Sequence, residues 1–140
     1  MAATHILTRE EARRRAELLT VDSYTVELDL TGHEQGDTFS SRTAVTFSCA
    51  EPGESTFIEI AAERIEDAYL NGEPVDISLF DPKEGLRVEN LAAENTLVVN
   101  AVCSYSTDGQ GLHRMTDPVD KETYLYSQFE VADAQRVYAC

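Results

Sequence analysis

The chain has 140 residues, with 26 acidic side chains against 11 basic ones and a formal net charge of −15. That imbalance excludes nucleic acid and anionic membranes as expected partners, because a polyanionic surface would have to be approached against self-repulsion. The length suits one domain, or part of one, able to bury on the order of two thirds of the surface that its unfolded form exposes. The charge is uneven: residues 1–20 carry net +1 and the remainder −16. The acidity therefore belongs to the body of the domain, where it serves solubility in preference to attracting cations.

The N-terminal stretch places its arginines after its apolar residues, the wrong order for a secretory signal. No run of about 18 apolar residues follows that could span a membrane. Thr8 and Glu11 stand at the spacing of a capping box, and the helix formers after them predict a short helix over 9–19. The period then changes. Apolar and polar residues alternate strictly from Tyr24 to Thr31, which predicts a strand buried on one face. The alternation returns in Phe39, Ser41, Thr43, Val45, Phe47 and Cys49, after a stretch with two glycines, so the two runs form an antiparallel hairpin.

Further strands are expected over 55–60, 64–70, 74–79, 85–89, 96–105 and 123–128. Asn71-Gly72 marks a tight hairpin turn between the strands over 64–70 and 74–79. The stretch from Gly109 to Met115, followed by Asp117-Pro118, reads as a long loop returning to the last strand. Short strands with frequent turns and no interleaved helices predict an all-β fold. It is either an antiparallel β-sandwich or a curved, saddle-shaped sheet, with a short N-terminal helix. The expected division is a helical segment over 1–20 and a β domain over 21–140.

Chemical motifs are few. There is no Gly-rich phosphate loop and no nucleophile elbow. His33 and Glu34 begin like the zinc-protease motif HExxH, but Asp37 stands where the second histidine belongs. That motif works on a helix, whereas this segment lies in a predicted hairpin loop. His5 and His113 are assigned surface or packing roles. Cys49, Cys103 and Cys140 make no CxxC pair and are odd in number, which suits a reducing compartment and buried thiols on strands. A cytoplasmic location is expected. Arg136 and Asp133 read equally as a local ion pair, as helix-capping groups or as functional residues.

The block Gln128-Phe129-Glu130, with Asp133-Ala134 and Arg136 after it, closely resembles the N-terminal domain of the zinc-dependent aminopeptidase N family in its actinobacterial form. Gly111-Leu112-His113-Arg114 and Tyr124-Leu125-Tyr126-Ser127 before it are similar to that family as well. So is the start, where Leu7-Thr8-Arg9-Glu10-Glu11-Ala12 leads into Asp22-Ser23-Tyr24. The chain departs from the family pattern at Ala132, where proline is common, and at Gln135, where a second arginine is usual.

The resemblance implies that Glu130 grips the free α-amino group of a peptide substrate and that Gln128 lines the pocket for its first side chain. It further implies that the zinc and its GxMEN and HExxH segments belong to a catalytic domain beyond Cys140. On that expectation the β domain is incomplete at its C-terminal end, holds no cofactor and is inactive alone. An ammonium with an ordinary pKa near 8 is mostly cationic about neutral pH, so a carboxylate is a fitting anchor for it. Two other readings stand beside this one: a free-standing β-sandwich binding module, and a regulatory domain that keeps the family fold without its chemistry.

Overall fold

The computed structural model describes residues 6–140; His5 lies outside them. Helix α1 (Arg9–Leu18) opens on the predicted capping box. The Thr8 hydroxyl accepts from the Glu11 amide at 3.2 Å and the Thr8 amide donates to the Glu11 carboxylate at 2.8 Å. None of its residues is buried, so it is held from outside. The Arg15 guanidinium sits 4.5 Å above the Phe57 ring and donates to the Phe57 carbonyl at 3.1 Å.

Ten strands follow. They are β1 (Leu19–Asp29), β2 (Thr38–Cys49), β3 (Thr56–Ile58), β4 (Arg64–Leu70), β5 (Glu73–Pro74), β6 (Phe80–Asp81), β7 (Gly85–Val88), β8 (Glu94–Ser104), β9 (Gly111–Thr116) and β10 (Thr123–Gln128). They form a five-stranded sheet in the order β1-β2-β8-β4-β5, a three-stranded sheet β3-β7-β6 and the hairpin β10-β9, with every strand pair antiparallel. The all-β prediction and the short N-terminal helix both hold.

The core is built where the period of two meets a covering layer. Alternate residues of β2 are buried from Phe39 to Cys49. Leu97, Val99, Ala101 and Cys103 of β8, directly bonded to β2, continue the same face. Ile58, Leu86 and Val88 of the small sheet join this face in one apolar cluster, with Leu91, Val137 and Ala139. Each such large side chain contributes about 1.5 to 3 kcal/mol by leaving water. Two polar residues of β2 lie inside this core for a reason. The Ser41 hydroxyl donates to the Val137 carbonyl at 2.6 Å, and the Thr43 hydroxyl accepts from the Ala139 amide at 3.2 Å. They seat the C-terminal segment on the sheet by answering backbone groups that burial would otherwise orphan.

Three expectations need correction. β1 is not buried on one face: Tyr24, Val26 and Leu28 lie opposite Val45, Thr43 and Ser41 yet remain 36% to 43% exposed. The strand is at the sheet edge, and the covering layer reaches this stretch of it through the Tyr138 ring, 6.5 Å from that of Tyr24. The expected strand over 74–79 stops at Pro74, and a 3-10 turn spans Ile77–Leu79. The Asp76 carboxylate accepts from the Ser78 amide at 3.0 Å and from the Ser78 hydroxyl at 2.6 Å, bending the chain away from extension. Lastly, most of the supposed loop before Asp117-Pro118 is strand β9, paired along its length with β10. The Asn71-Gly72 turn is as predicted, with φ of 52° and 84°, and links β4 to β5.

Candidate functional site

The β9-β10 hairpin carries the residues singled out in the sequence. Its register sets Gln128 opposite Gly111, Tyr126 opposite His113 and Tyr124 opposite Met115, and opposed residues share a face. The His113 and Tyr126 rings stack at 4.7 Å with 27° between their planes. The Gly109 amide donates to His113 Nδ1 at 3.0 Å, so the neutral ring carries its proton on Nε2. His113 is thus a packing residue of the hairpin, as expected.

Arg114, its neighbour, reaches across to the β1-β2 connection. It donates to the Glu34 carbonyl at 2.8 Å and to the His33 carbonyl. The segment that imitates a zinc-protease motif is therefore a turn clasped by an arginine, with His33 Nδ1 3.0 Å from the Leu30 carbonyl. Among the described residues, no three His, Cys, Asp or Glu side chains converge to hold a metal.

β10 ends at Gln128. The strand does not continue to Glu130, so alternation is not what relates the two residues. Instead the Gln128 carboxamide oxygen accepts from the Glu130 amide at 2.8 Å. A turn closes behind them where the Asp133 amide donates to the Phe129 carbonyl at 2.9 Å. Phe129 points inward, packs on the apolar cluster and meets the Tyr138 ring edge to face at 6.2 Å. Gln128 and Glu130 are both exposed, and the peptide bond from Glu130 to Val131 is cis. The two side chains line none of the five main clefts among the described residues. They stand on an open rim, a hydrogen-bonded amide and a carboxylate facing outward.

Behind the rim is a group that the sequence left ambiguous. Arg136 and Asp133 form an ion pair of 2.9 Å with both side chains largely buried. Ala132, with no side-chain bond of its own, precedes the 3-10 turn Asp133–Arg136, so Asp133 pairs rather than caps. Arg136 also donates to the Asp108 carboxylate at 3.0 Å and to the Gln110 carboxamide oxygen at 3.4 Å. The Gln110 amide and then this guanidinium hold Asp108 below the usual carboxylate range. Asp108 was not foreseen, since it lies 28 residues from its partner and no local spacing joins them.

No family model matches the chain. Over 134 residues, 95% of its length, it is 49% identical to the aminopeptidase N of Streptomyces lividans, of which it spans 16%. Solved structures of leukotriene A4 hydrolase share its fold. The native enzyme from Saccharomyces cerevisiae superposes with a TM-score of 0.68 and the yeast enzyme in complex with bestatin with 0.69, each over 96% of this chain and 25% of theirs. At 14% identity they speak for the fold alone. Over nearly its whole length, then, the chain matches one stretch of an aminopeptidase N, with half of its residues identical.

Proposed function

We propose that this chain is the N-terminal β domain of a zinc-dependent aminopeptidase that removes N-terminal residues from peptides in the cytoplasm, with a helical lead-in over 1–20 and the β domain over 21–140. In this role Glu130 recognises the α-ammonium of the substrate and Gln128 borders its first side chain. The observation that carries the reading is the block Gln128-Phe129-Glu130, set on an exposed turn within a match of 49% identity to an aminopeptidase N.

The geometry supports it in three ways. The Glu130 carboxylate is exposed and can receive a cation. Phe129, anchored on the core, fixes the stem of the turn. The Gln128 carboxamide oxygen is engaged by the Glu130 amide, which leaves its NH2 end to offer a donor toward the pocket.

Among the described residues no three potential ligands converge on a metal, and on this reading the zinc chemistry belongs to ligands elsewhere in the longer protein. A site with one wall here would leave the 140 residues without activity of their own. What this wall does is bind and orient. A carboxylate at a fixed place pairs with a free, cationic amino terminus and is itself left without a charge partner by an acylated, neutral one.

The test is Glu130→Ala in the full-length enzyme, assayed on a chromogenic aminoacyl amide. A charge-assisted contact of about 1.5 to 3 kcal/mol predicts a loss of about tenfold to a hundredfold in kcat/KM. Unchanged kinetics would remove Glu130 from the site, and hydrolysis by the 140-residue chain alone would contradict the division of labour.

A further inference from the structure

The proposed amino-group anchor sits on a turn, and a turn is a poor place to hold a charge in register unless something braces it. From the assignment of Glu130 above, on which this step rests, we infer that Arg136 is the positioning residue that sets the pose of Glu130 and Gln128. Its role is to lock the loop over 106–111 to the turn over 129–133.

Each contact bears on the same few residues. The guanidinium spends its three nitrogens on three acceptors from two segments: Nε on Asp133, Nη1 on Asp108 and Nη2 on Gln110. The Asp133 arm ties it to the turn, since the Asp133 amide closes that turn on the Phe129 carbonyl. The Asp108 and Gln110 arms tie it to the loop that opens β9.

Its stem makes the third link. A Cβ placed on Gly111 would lie 3.0 Å from Arg136 Cδ and 3.2 Å from its Cβ, so the backbone of Gly111 and the arginine stem touch. Gly111 is paired in register with Gln128, and Gln128 accepts from the Glu130 amide. The arginine side chain is 15% exposed and that of Asp133 is 7% exposed, so water does not compete freely for these bonds.

A lysine could keep the charge but not the fork, because one ammonium cannot address three separated acceptors in fixed directions. A purely structural arginine would affect how much enzyme is folded. A positioning arginine affects how well folded enzyme reads an amine, and that difference can be measured.

The experiment uses the full-length enzyme and two competitive inhibitors, leucine hydroxamate and 4-methylpentanohydroxamate, which differ in the α-amino group. The ratio of the Ki of the des-amino compound to that of leucine hydroxamate reads recognition of the amine and does not depend on the folded fraction. Glu130→Ala should lower the ratio about tenfold or more. Arg136→Lys and Asp108→Asn should each lower it about threefold to tenfold, with the Ki of the des-amino compound changed less than twofold.

If Arg136→Lys does not accumulate as folded protein, Asp108→Asn carries the test, because its side chain is 38% exposed and only the brace is lost. Parental ratios in the Arg136 and Asp108 variants beside a lowered ratio in Glu130→Ala would overturn the inference and leave the function standing. A parental ratio in Glu130→Ala itself would overturn both.

Discussion

Replacing Gly85 by alanine tests directly the close approach of β3 and β7, paired strands of the small sheet. Gly85 opens β7 with φ of 90°, and a Cβ there would lie 2.3 Å from the Ile58 carbonyl oxygen, 3.0 Å from its carbon and 3.2 Å from Glu59 Cα. To reach even 3.0 Å from that oxygen, β3 must retreat by about 0.7 Å, the difference of the two distances, in an interior that is close-packed. Three terms follow. The left-handed backbone costs about 1 to 2 kcal/mol for a residue with a Cβ. The displaced contacts of Ile58 and Leu86 cost about 1 to 3 kcal/mol, as overpacking does. A weakened ladder bond between β3 and β7 adds about 0.5 to 1.5 kcal/mol.

The expected loss is about 3 to 6 kcal/mol, a large part of the 5 to 15 kcal/mol that holds a typical domain. Gly53 supplies the control, since it too has positive φ, 96°, but a Cβ there meets nothing within 4 Å. Gly53→Ala should therefore show the backbone term alone. Urea unfolding of the 140-residue chain, followed by far-ultraviolet circular dichroism because the sequence has no tryptophan, compares the two. With a urea slope of about 1 to 3 kcal/mol per molar, the midpoints should separate by about 1 to 3 M. Midpoints within about 0.3 M of each other would refute the steric reasoning and with it the stated approach of β3 to β7.

Two further outcomes follow from charge and burial. Burial pushes the Cys103 thiol up to about 12, so alkylation by iodoacetamide at pH 8 should leave it unmodified in folded protein and label it in urea; fast native labelling would contradict its burial, with Sγ 3.7 Å from the Val137 carbonyl. For Asp108, bonds from the Gln110 amide and from Arg136 lower the folded-state value. Its contribution is thus complete above the unfolded value near 4 and disappears as pH falls through the lowered one. The stability difference between the parent chain and Asp108→Asn should be constant from pH 7 to about 5 and close below about 4, and a difference that grew on acidification would reverse the assignment.

How far the sequence could be read depended on whether a residue's fate is decided locally. β2 was legible because it lies between two strands under a full covering layer, so its alternation and its burial coincide. β1 carries the same alternation and the same hairpin pairing, but its burial is decided by how far a distant layer extends, which no local pattern records. β9 was hidden by Gly109 before it, Gly111 at its start and Asp117-Pro118 after it; those mark the two ends of a short strand as readily as a loop.

At the candidate site, Gln128 and Glu130 came from family resemblance, since periodicity offered only the strand over 123–128, which is as expected, and says nothing of the turn beyond it. The bond between them has the sequence spacing of two residues, yet it runs from side chain to backbone and so escapes a reading based on faces. Arg136 was noticed beside Asp133, while Asp108 and Gln110 are brought to it only by the hairpin.

The uncovered stripe of Tyr24, Val26 and Leu28 along β1 has a bearing on how copies of this chain behave in concentrated solution. It adjoins the free hydrogen-bonding edge of the five-stranded sheet, so each copy presents a template on which another β1 could align. Mutual repulsion of particles bearing −15 each is the force that opposes such alignment. Salt shortens that force to a reach of about 8 Å at physiological ionic strength, and acid abolishes it near the isoelectric point of 4.4. The acidic surface is in this sense a colloidal guard for an unfinished edge, and handling of the isolated chain is safest at low salt and above neutral pH.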